Sequence, residues 1–479
     1  MDRQSLADWV HHLGDRDLPL LQGTAAILSI VDANPQMSMR ALGRLVQRDP
    51  GLALKLIRVA NGVPHRHFRT EVVALDEAVM MIGTDGLKRA IQELEKLPDV
   101  LSTNAQSYYR YLAGRVAYAA TLAEAWAENR HDMIPSEVGL AALLYDLGEL
   151  VWTIHDERRM ARYMELVRDG QVLPHEAEYV ALDVSLETVG HALAERWQLP
   201  AMVRECMCPA NARHARAMGV MLASNLARDA MAAWDHPGVG GNLDQAARYL
   251  DCSSEELADY INGATEHFNA HVDLYGLDPV PLLDEERVKA YREKGARPPE
   301  PVFCLMPRSD RYEQARSQLA SHSLENRDQV LDVLLEGLHE GLGLNRVVFA
   351  RLSDIGDTLS AERMEGTDHE PAFNRFELNL AGGHLIAVMM KRPSAFWLNP
   401  SNCDEVWPRV PHSMRTLIGV REFFAHSVFV GDQPYGLVYA DRRSEVCALD
   451  RRALKGFKTL VELATAHLES LRQAGRGRL

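Results

Sequence analysis

Residues Gly139 to Trp152, GLAALLYDLGELVW, constrain the chain more than any other stretch. Leu140, Leu143, Leu144, Leu147, Leu150 and Val151 recur at helical spacing, which predicts one helix with a broad apolar face. Gly148 costs roughly 1 kcal/mol relative to Ala in a helix interior, so another backbone is expected to pack close to it. The pair Tyr145-Asp146 sits inside this apolar run.

At 479 residues the chain is too long for one core, so two or three domains are expected. A net charge of -15 argues against broad binding to nucleic acid or an anionic membrane. The start, MDRQSLADWVHHLGDRD, lacks the apolar run of a signal peptide, and no stretch reaches the length of a membrane span. A cytoplasmic protein is expected. The six cysteines are scattered, and only Cys206 and Cys208 lie close together, as CxC. Neither a disulfide framework nor a zinc ribbon is expected, and the thiols are read as reduced.

Along the chain, LPLLQGTAAILSIVD is an apolar-periodic helix ending near Asn34-Pro35. Ser38 is placed to cap MRALGRLVQR. Asp49-Pro50 opens GLALKLIRVANG with Asp as cap and Pro in the first turn. Residues 103–130 form a long helix rich in Ala and Tyr, and helices continue to Tyr275. The loop HPGVGGN, His236 to Asn242, lacks the Gly-Lys-Ser/Thr ending of a phosphate loop and reads as an interhelical connection. From Leu277 proline and charge concentrate, the mark of a linker. Beyond it the periodicity changes. ENRDQVLDVLLEGLHEGLG reads as a helix, NRVVFARLSD as a strand, and EFFAHSVFVGDQPYGLVYADRR as strand, Gly-Asp turn, strand. In the final helix Leu454, Phe457, Val461, Ala464, Leu468 and Leu471 alternate spacings of three and four, a heptad seam.

The Gly139–Trp152 stretch resembles the "LLHDIG" helix of the HD superfamily of metal-dependent phosphohydrolases, whose adjacent His and Asp bind the catalytic metals. Here the pair is Tyr145-Asp146. Leu18-Pro19, Arg48-Asp49-Pro50, the run Leu54 to Asn61, Ala78, Ile82-Gly83 and Leu87 resemble the HD-related output domain, HDOD, a bacterial signalling relative. Val189-Gly190, Leu193 and Trp197-Gln198-Leu199-Pro200 extend that resemblance. The signature positions Asp49, Pro50, Asn61, Gly83, Gly190, Trp197 and Pro200 are read as caps, turns and core. Against the family's metal-binding template every histidine is replaced: near Leu112, at Tyr145, at Ser185-Leu186 and at Cys206-Met207-Cys208-Pro209. Only Asp146 survives. The resemblance therefore implies no catalytic residue, no bound metal and no cofactor. His155-Asp156, a literal HD dipeptide, reads as a solvated helix boundary. Cys206 and Cys208, with His214, are an alternative soft-metal set, weighed against packed thiols.

Helix, strands and closing helix over about Ser321 to Arg472 resemble a GAF domain, a sensory module on an antiparallel sheet. Leu344-Asn345-Arg346-Val347 and Gly436-Leu437-Val438-Tyr439-Ala440-Asp441 carry that resemblance. The expected architecture is multidomain: an all-α HDOD module over 15–276, a linker over 277–320, and an α+β GAF-like domain with an antiparallel sheet over 321–475. It implies a non-catalytic bacterial signal-transduction protein acting on an unidentified partner protein, without membrane or nucleic acid. A homodimer is expected through the closing helix, since terminal helices of GAF proteins pair between subunits. Two alternatives stand beside it. One is a metal-dependent phosphohydrolase of the cyclic-dinucleotide type with a rearranged site. The other is a GAF module that senses a small molecule or nucleotide and relays to HDOD.

Overall fold

The computed structural model describes residues 6–475 apart from 35, 63–70, 131–132, 169–171, 173, 235–238, 285, 287–288, 290–303, 368–369 and 444–446. Two compact units result: Met1–Arg168 with Val180–Pro299, and Asp169–Tyr179 with Glu300–Leu479.

The first unit is helical. Helices α1 (Leu6–Leu13), α2 (Ala26–Ala33), α3 (Met39–Val46), α4 (Pro50–Gly62) and α5 (Leu75–Glu93) lead to α6 (Leu97–Val100) and the long α7 (Thr103–Glu128). Then come α8 (Pro135–Leu143), α9 (Leu147–His155), α10 (Glu157–Arg168), α11 (Pro174–Ala181), α12 (Leu186–Arg196) and α13 (Ala201–Cys206). The first residues of α11 group with the second unit. A 3-10 turn (Pro209–Arg213) precedes α14 (Ala215–Met231), α15 (Val239–Leu250), α16 (Ser254–Asn269) and α17 (Val272–Tyr275).

Helix starts follow their caps. Ser38 Oγ accepts from the Ala41 amide at 3.2 Å and opens α3. The buried Asp49 carboxylate accepts from the amides of Leu52 (3.0 Å) and Leu21 (2.9 Å) and from the Thr24 hydroxyl. It thus caps α4 and ties the preceding segment to it. Helix α7, about 39 Å long, is the axis of the unit. Its Ala-rich middle is buried, and Tyr118 shares a 2.6 Å hydrogen bond with Thr265 of α16.

The single helix expected over Gly139–Trp152 is broken. Helix α8 stops at Leu143, residues 144–146 turn, and α9 restarts at Leu147. Asp146 leaves helical geometry (φ -90°, ψ 33°) while its carboxylate is drawn to an arginine on α7. The break thus coincides with a side-chain tie to a different helix. The span Pro135–His155 has the length and composition of a membrane crossing, but 83% of its most apolar window is buried inside the chain.

The second unit is built on an antiparallel sheet of order β3-β2-β1-β6-β5-β4. The strands are β1 (Arg346–Leu352), β2 (Thr358–Glu365), β3 (Glu377–Asn379), β4 (Ala395–Leu398), β5 (Phe423–Val430) and β6 (Gln433–Asp441). Gly431-Asp432 turns β5 into β6, with Gly431 at φ +64°, a conformation that suits glycine. Helices α18 (Ser309–Ser321), α19 (Arg327–Glu336) and, after short helices α20 (Pro371–Asn374), α21 (Leu385–Met389), α22 (Cys403–Val406) and α23 (His412–Ile418), the closing α24 (Arg451–Gln473) complete it. Val347, Phe349, Phe424 and Val438 of the sheet meet Leu319, Leu334, Phe457 and Val461 of α18, α19 and α24 in one core.

Three expectations are corrected here. The linker drawn over 277–320 is shorter, because Leu277, Val280 and Leu283 are buried at its start and α18, with Ala315 and Leu319 buried, fills its end. The cysteines are not all free: Cys304 and Cys447 pair as a disulfide with Cα atoms 5.4 Å apart. Spacing along the chain could not show this, because the two are 143 residues apart. Finally, Phe457, Val461, Ala464, Leu468 and Leu471 are buried in the unit's own core, with Leu454 packed against it. The heptad seam faces this chain's own sheet and α18–α19, so it is not an exposed dimer contact.

Candidate functional site

The Tyr145-Asp146 pair lies where α7, α8 and α9 meet. Asp146 sits at the α8–α9 break and Glu149 in the first turn of α9. Opposite them Arg115 points in from the middle of α7. Its Nη2 and Nε donate to Asp146 Oδ2 at 2.7 and 3.1 Å, and Nη2 also donates to Glu149 Oε2. The Tyr108 hydroxyl, two turns back on α7, donates to the other Glu149 oxygen. Arg115, Asp146 and Glu149 are 4%, 8% and 5% exposed, so water does little to screen this cluster. Burial pulls the Arg115 pKa down, but Asp146 and Glu149 outweigh it and hold it well above the ordinary arginine value. Burial, then Glu149, pushes Tyr108 well above its usual range. The cluster is a guanidinium held charged between two carboxylates.

The family's metal does not fit these residues. A fixed cation already binds carboxylate oxygens of both Asp146 and Glu149, and Tyr145 beside Asp146 offers a phenol where a transition metal favours a nitrogen ligand. Among the described residues no group of three or more His, Cys, Asp or Glu is placed to hold a metal ion. Cys206 is fully buried, and burial drives its thiol far above the usual range, so it packs as an apolar side chain. His155 ends α9 and is half-buried rather than fully solvated. It lies against Trp9 (5.4 Å) and Trp152 (6.0 Å), and burial, then Arg16, lowers its pKa. Asp156 beside it accepts from the Arg159 amide at 3.0 Å and starts α10.

The signature positions lie at turns, backbone hydrogen bonds and close packing elsewhere in the same unit. Asn61 pairs through its amide with both backbone groups of Val72 (2.9 and 3.1 Å). Gly83 takes φ +71°, ψ 174° and kinks α5, a conformation essentially limited to glycine. Trp197 donates to the Gly14 carbonyl at 2.8 Å beneath the Arg58 guanidinium, and Pro200 occupies the N-cap position of α13 without a side-chain cap. Gly190 on α12 lies against Gly148 on α9. Tyr145, half-buried, flanks Asp146 in the turn.

Arg115 and Glu149 were missed in the sequence, although both left a trace. Each is a lone charge inside an apolar helical run, LAGRVAYAA and LGELVW. Long charged side chains are almost never fully buried without a partner, so each implied the other.

Residues 18–212 match the model of the HDOD domain, and this part of the chain is an HDOD domain. A curated protein of Treponema pallidum (strain Nichols), described only as uncharacterized, is 24% identical over 186 residues. The match covers 38% of this chain and 36% of that protein's length. Among solved structures, the MmoQ response regulator of Methylococcus capsulatus str. Bath is similar at 18% identity and a TM-score of 0.41, over 52% of this chain and 99% of that one. The GAF domain of a phosphoenolpyruvate-protein phosphotransferase from Coxiella burnetii is similar at 16% identity and a TM-score of 0.27, over 35% of this chain and 98% of that one.

Proposed function

We propose that the chain is a non-catalytic signalling protein whose HDOD domain acts by contact with a partner protein. Its C-terminal unit is read as a GAF-like sensory module. One observation carries the first part: the Arg115 guanidinium bonded to both Asp146 and Glu149. HD-type hydrolysis uses divalent metal to polarise phosphate and generate hydroxide near neutral pH. An arginine in that place supplies charge but has no exchangeable coordination position for water. The second part is supported by the helix–sheet–helix order and by the antiparallel pairing of the strands that open at Arg346 and close at Asp441.

The test is a pair of assays on the purified full chain. With Mn²⁺ added, it is expected to leave a cyclic dinucleotide and bis(p-nitrophenyl) phosphate intact, and as bait it is expected to retain a specific protein from its native cell extract. Hydrolysis that disappears in Asp146→Ala overturns the reading in favour of a rearranged phosphohydrolase.

A further inference from the structure

The Cys304–Cys447 disulfide joins two segments of the second unit that are held very differently. Cys447 is 3% exposed, and its neighbours are tied down without it. Arg442 donates to the carbonyls of Ala448 (3.0 Å) and Leu342 (3.4 Å). Leu449 is buried, and Asp450 caps α24 by accepting from the Ala453 amide at 2.7 Å.

The Cys304 end has far less. Residues 304–308 form a strap without regular structure that leads into α18. Arg308 anchors its far end, donating its amide to the Glu340 carbonyl at 3.1 Å and pairing with the Glu340 carboxylate at 3.8 Å. Between Cys304 and Pro307 only Leu305 is buried; Cys304 is exposed, and Met306 is 78% exposed. The Leu305 carbonyl rests on Gly343, where a Cβ would collide with its oxygen. Tyr179, which belongs to this unit, has its hydroxyl 2.8 Å from the Met306 carbonyl and 3.0 Å from that of Glu340. One hydroxyl proton serves one of these carbonyls at a time.

Ordering four residues costs conformational entropy that one buried leucine and one shared hydrogen bond offset poorly. The bond itself therefore holds the strap down. The same imbalance makes the bond easy to open. Once it is reduced, the effective concentration of the Cys304 thiol at Cys447 depends on how firmly the strap stays in place. A weakly held strap gives a readily reduced disulfide. The rest of the chain does not resemble a disulfide framework, since Cys206, Cys208, Cys252 and Cys403 lie outside this bond.

We propose that Cys304–Cys447 is a reversible redox clasp, closed by thiol oxidants and opened by dithiols, that fastens and frees the strap ahead of α18. A thiolate of a dithiol reductant attacks the sulfur of Cys304, the exposed partner. Cys447 leaves as a thiolate and takes up a proton. The second thiol of the reductant then resolves the mixed disulfide and releases Cys304. Two electrons pass to the clasp, and the dithiol becomes a disulfide. A disulfide oxidant runs the same steps backwards. Opening uncovers Leu305 and the surface at Gly343, while Cys447 stays in place beside the cap of α24.

The experiment has two arms, both on the full chain. In the first, native chain is treated with excess dithiothreitol without denaturant, alkylated, and mapped by mass spectrometry. Cys304 and Cys447 are expected to become labelled, and oxidised glutathione is expected to close the bond again. In the second, thermolysin is added to C304S and to oxidised wild type, neither needing reductant. Cleavage before Leu305 or Met306 is expected to be at least about tenfold faster in C304S, since cutting requires the strap to lift off. Cleavage elsewhere in the second unit is expected to stay within about twofold. Should C304S fail to fold, wild type reduced and alkylated at both cysteines takes its place in the comparison. A bond that dithiothreitol opens only in denaturant is a structural staple, which overturns the proposal. Equal cleavage of the strap with and without the bond overturns it as well, as does loosening of the whole unit.

Discussion

Gly148 on α9 and Gly190 on α12 cross backbone to backbone: a Cβ added to Gly148 would lie 3.0 Å from the Gly190 amide nitrogen and would collide with the Leu186 carbonyl. Those obstacles are backbone, so no side-chain rotation relieves them. Gly148→Ala is expected to destabilise the first unit by about 2–4 kcal/mol, at or above the usual range for overpacking. Chemical denaturation checks it, and a loss below the effect of a surface Gly→Ala change would show that the helices separate easily.

That contact marks how much of the first unit was legible. The cost of a glycine in an apolar helix announced a close approach, and Ser38 and Asp49-Pro50 announced helix starts. The break at Asp146 did not show, because Leu143, Leu144 and Leu147 keep helical spacing across it. At the break Asp146 pairs with Arg115, 31 residues earlier, and periodicity within one segment carries no information about such a tie. The same limit hid Cys304–Cys447.

Removing Arg115 leaves two buried carboxylates facing each other without a counter-charge. Arg115→Ala is expected to cost about 3–5 kcal/mol, the range for breaking one side of a buried ion pair. A triple change, Arg115→Met with Asp146→Leu and Glu149→Gln, is expected to recover much of that loss, since the buried charges leave together. If the single change is as mild as the triple one in urea unfolding, the cluster is hydrated and the buried-guanidinium description is wrong.

Asp229 on α14 gives a pH dependence with a definite sign. Burial pushes its carboxyl up to about 7, despite the hydrogen bond from Asn242 at 2.7 Å. The folded state therefore holds a proton that the unfolded chain releases near pH 4. Its stabilising effect is present below that pH and is lost as pH rises to about 7. Asp229→Asn, which stays neutral, is expected to be increasingly more stable than wild type between pH 5 and pH 8. Melting temperatures across that range decide it, and a gap that shrinks with pH contradicts the assignment.

Thiol counting checks the cysteine correction. Cys206, Cys208, Cys252 and Cys403 lie outside this disulfide. Chain denatured without reductant, after purification under air, is expected to take up four alkyl groups, and six after reduction. The bond closes a loop of 143 residues, for which chain entropy alone gives about 5 kcal/mol. Reduction is therefore expected to lower the melting temperature of the second unit. Six alkyl groups without reductant would remove the bond.

The closing helix separates pattern from partner most clearly. Its seam was legible, because Leu468 and Leu471 continue a three–four alternation that starts at Leu454 and runs for nearly five turns. Its occupant was not, since an apolar stripe meets a sister helix or its own sheet with the same spacing. Here Leu468 is 1% and Leu471 6% exposed within a single chain. Their neighbours include Leu331, Val428 and Val430 in the same core. A glutamate at 468 would be buried without a cation, at a cost of several kcal/mol. Leu468→Glu is therefore expected to unfold the second unit, seen as loss of a cooperative transition in circular dichroism. It is not expected to convert a folded dimer into a folded monomer. Light scattering on the same sample separates the outcomes: a folded, smaller species would return the seam to an interface between copies.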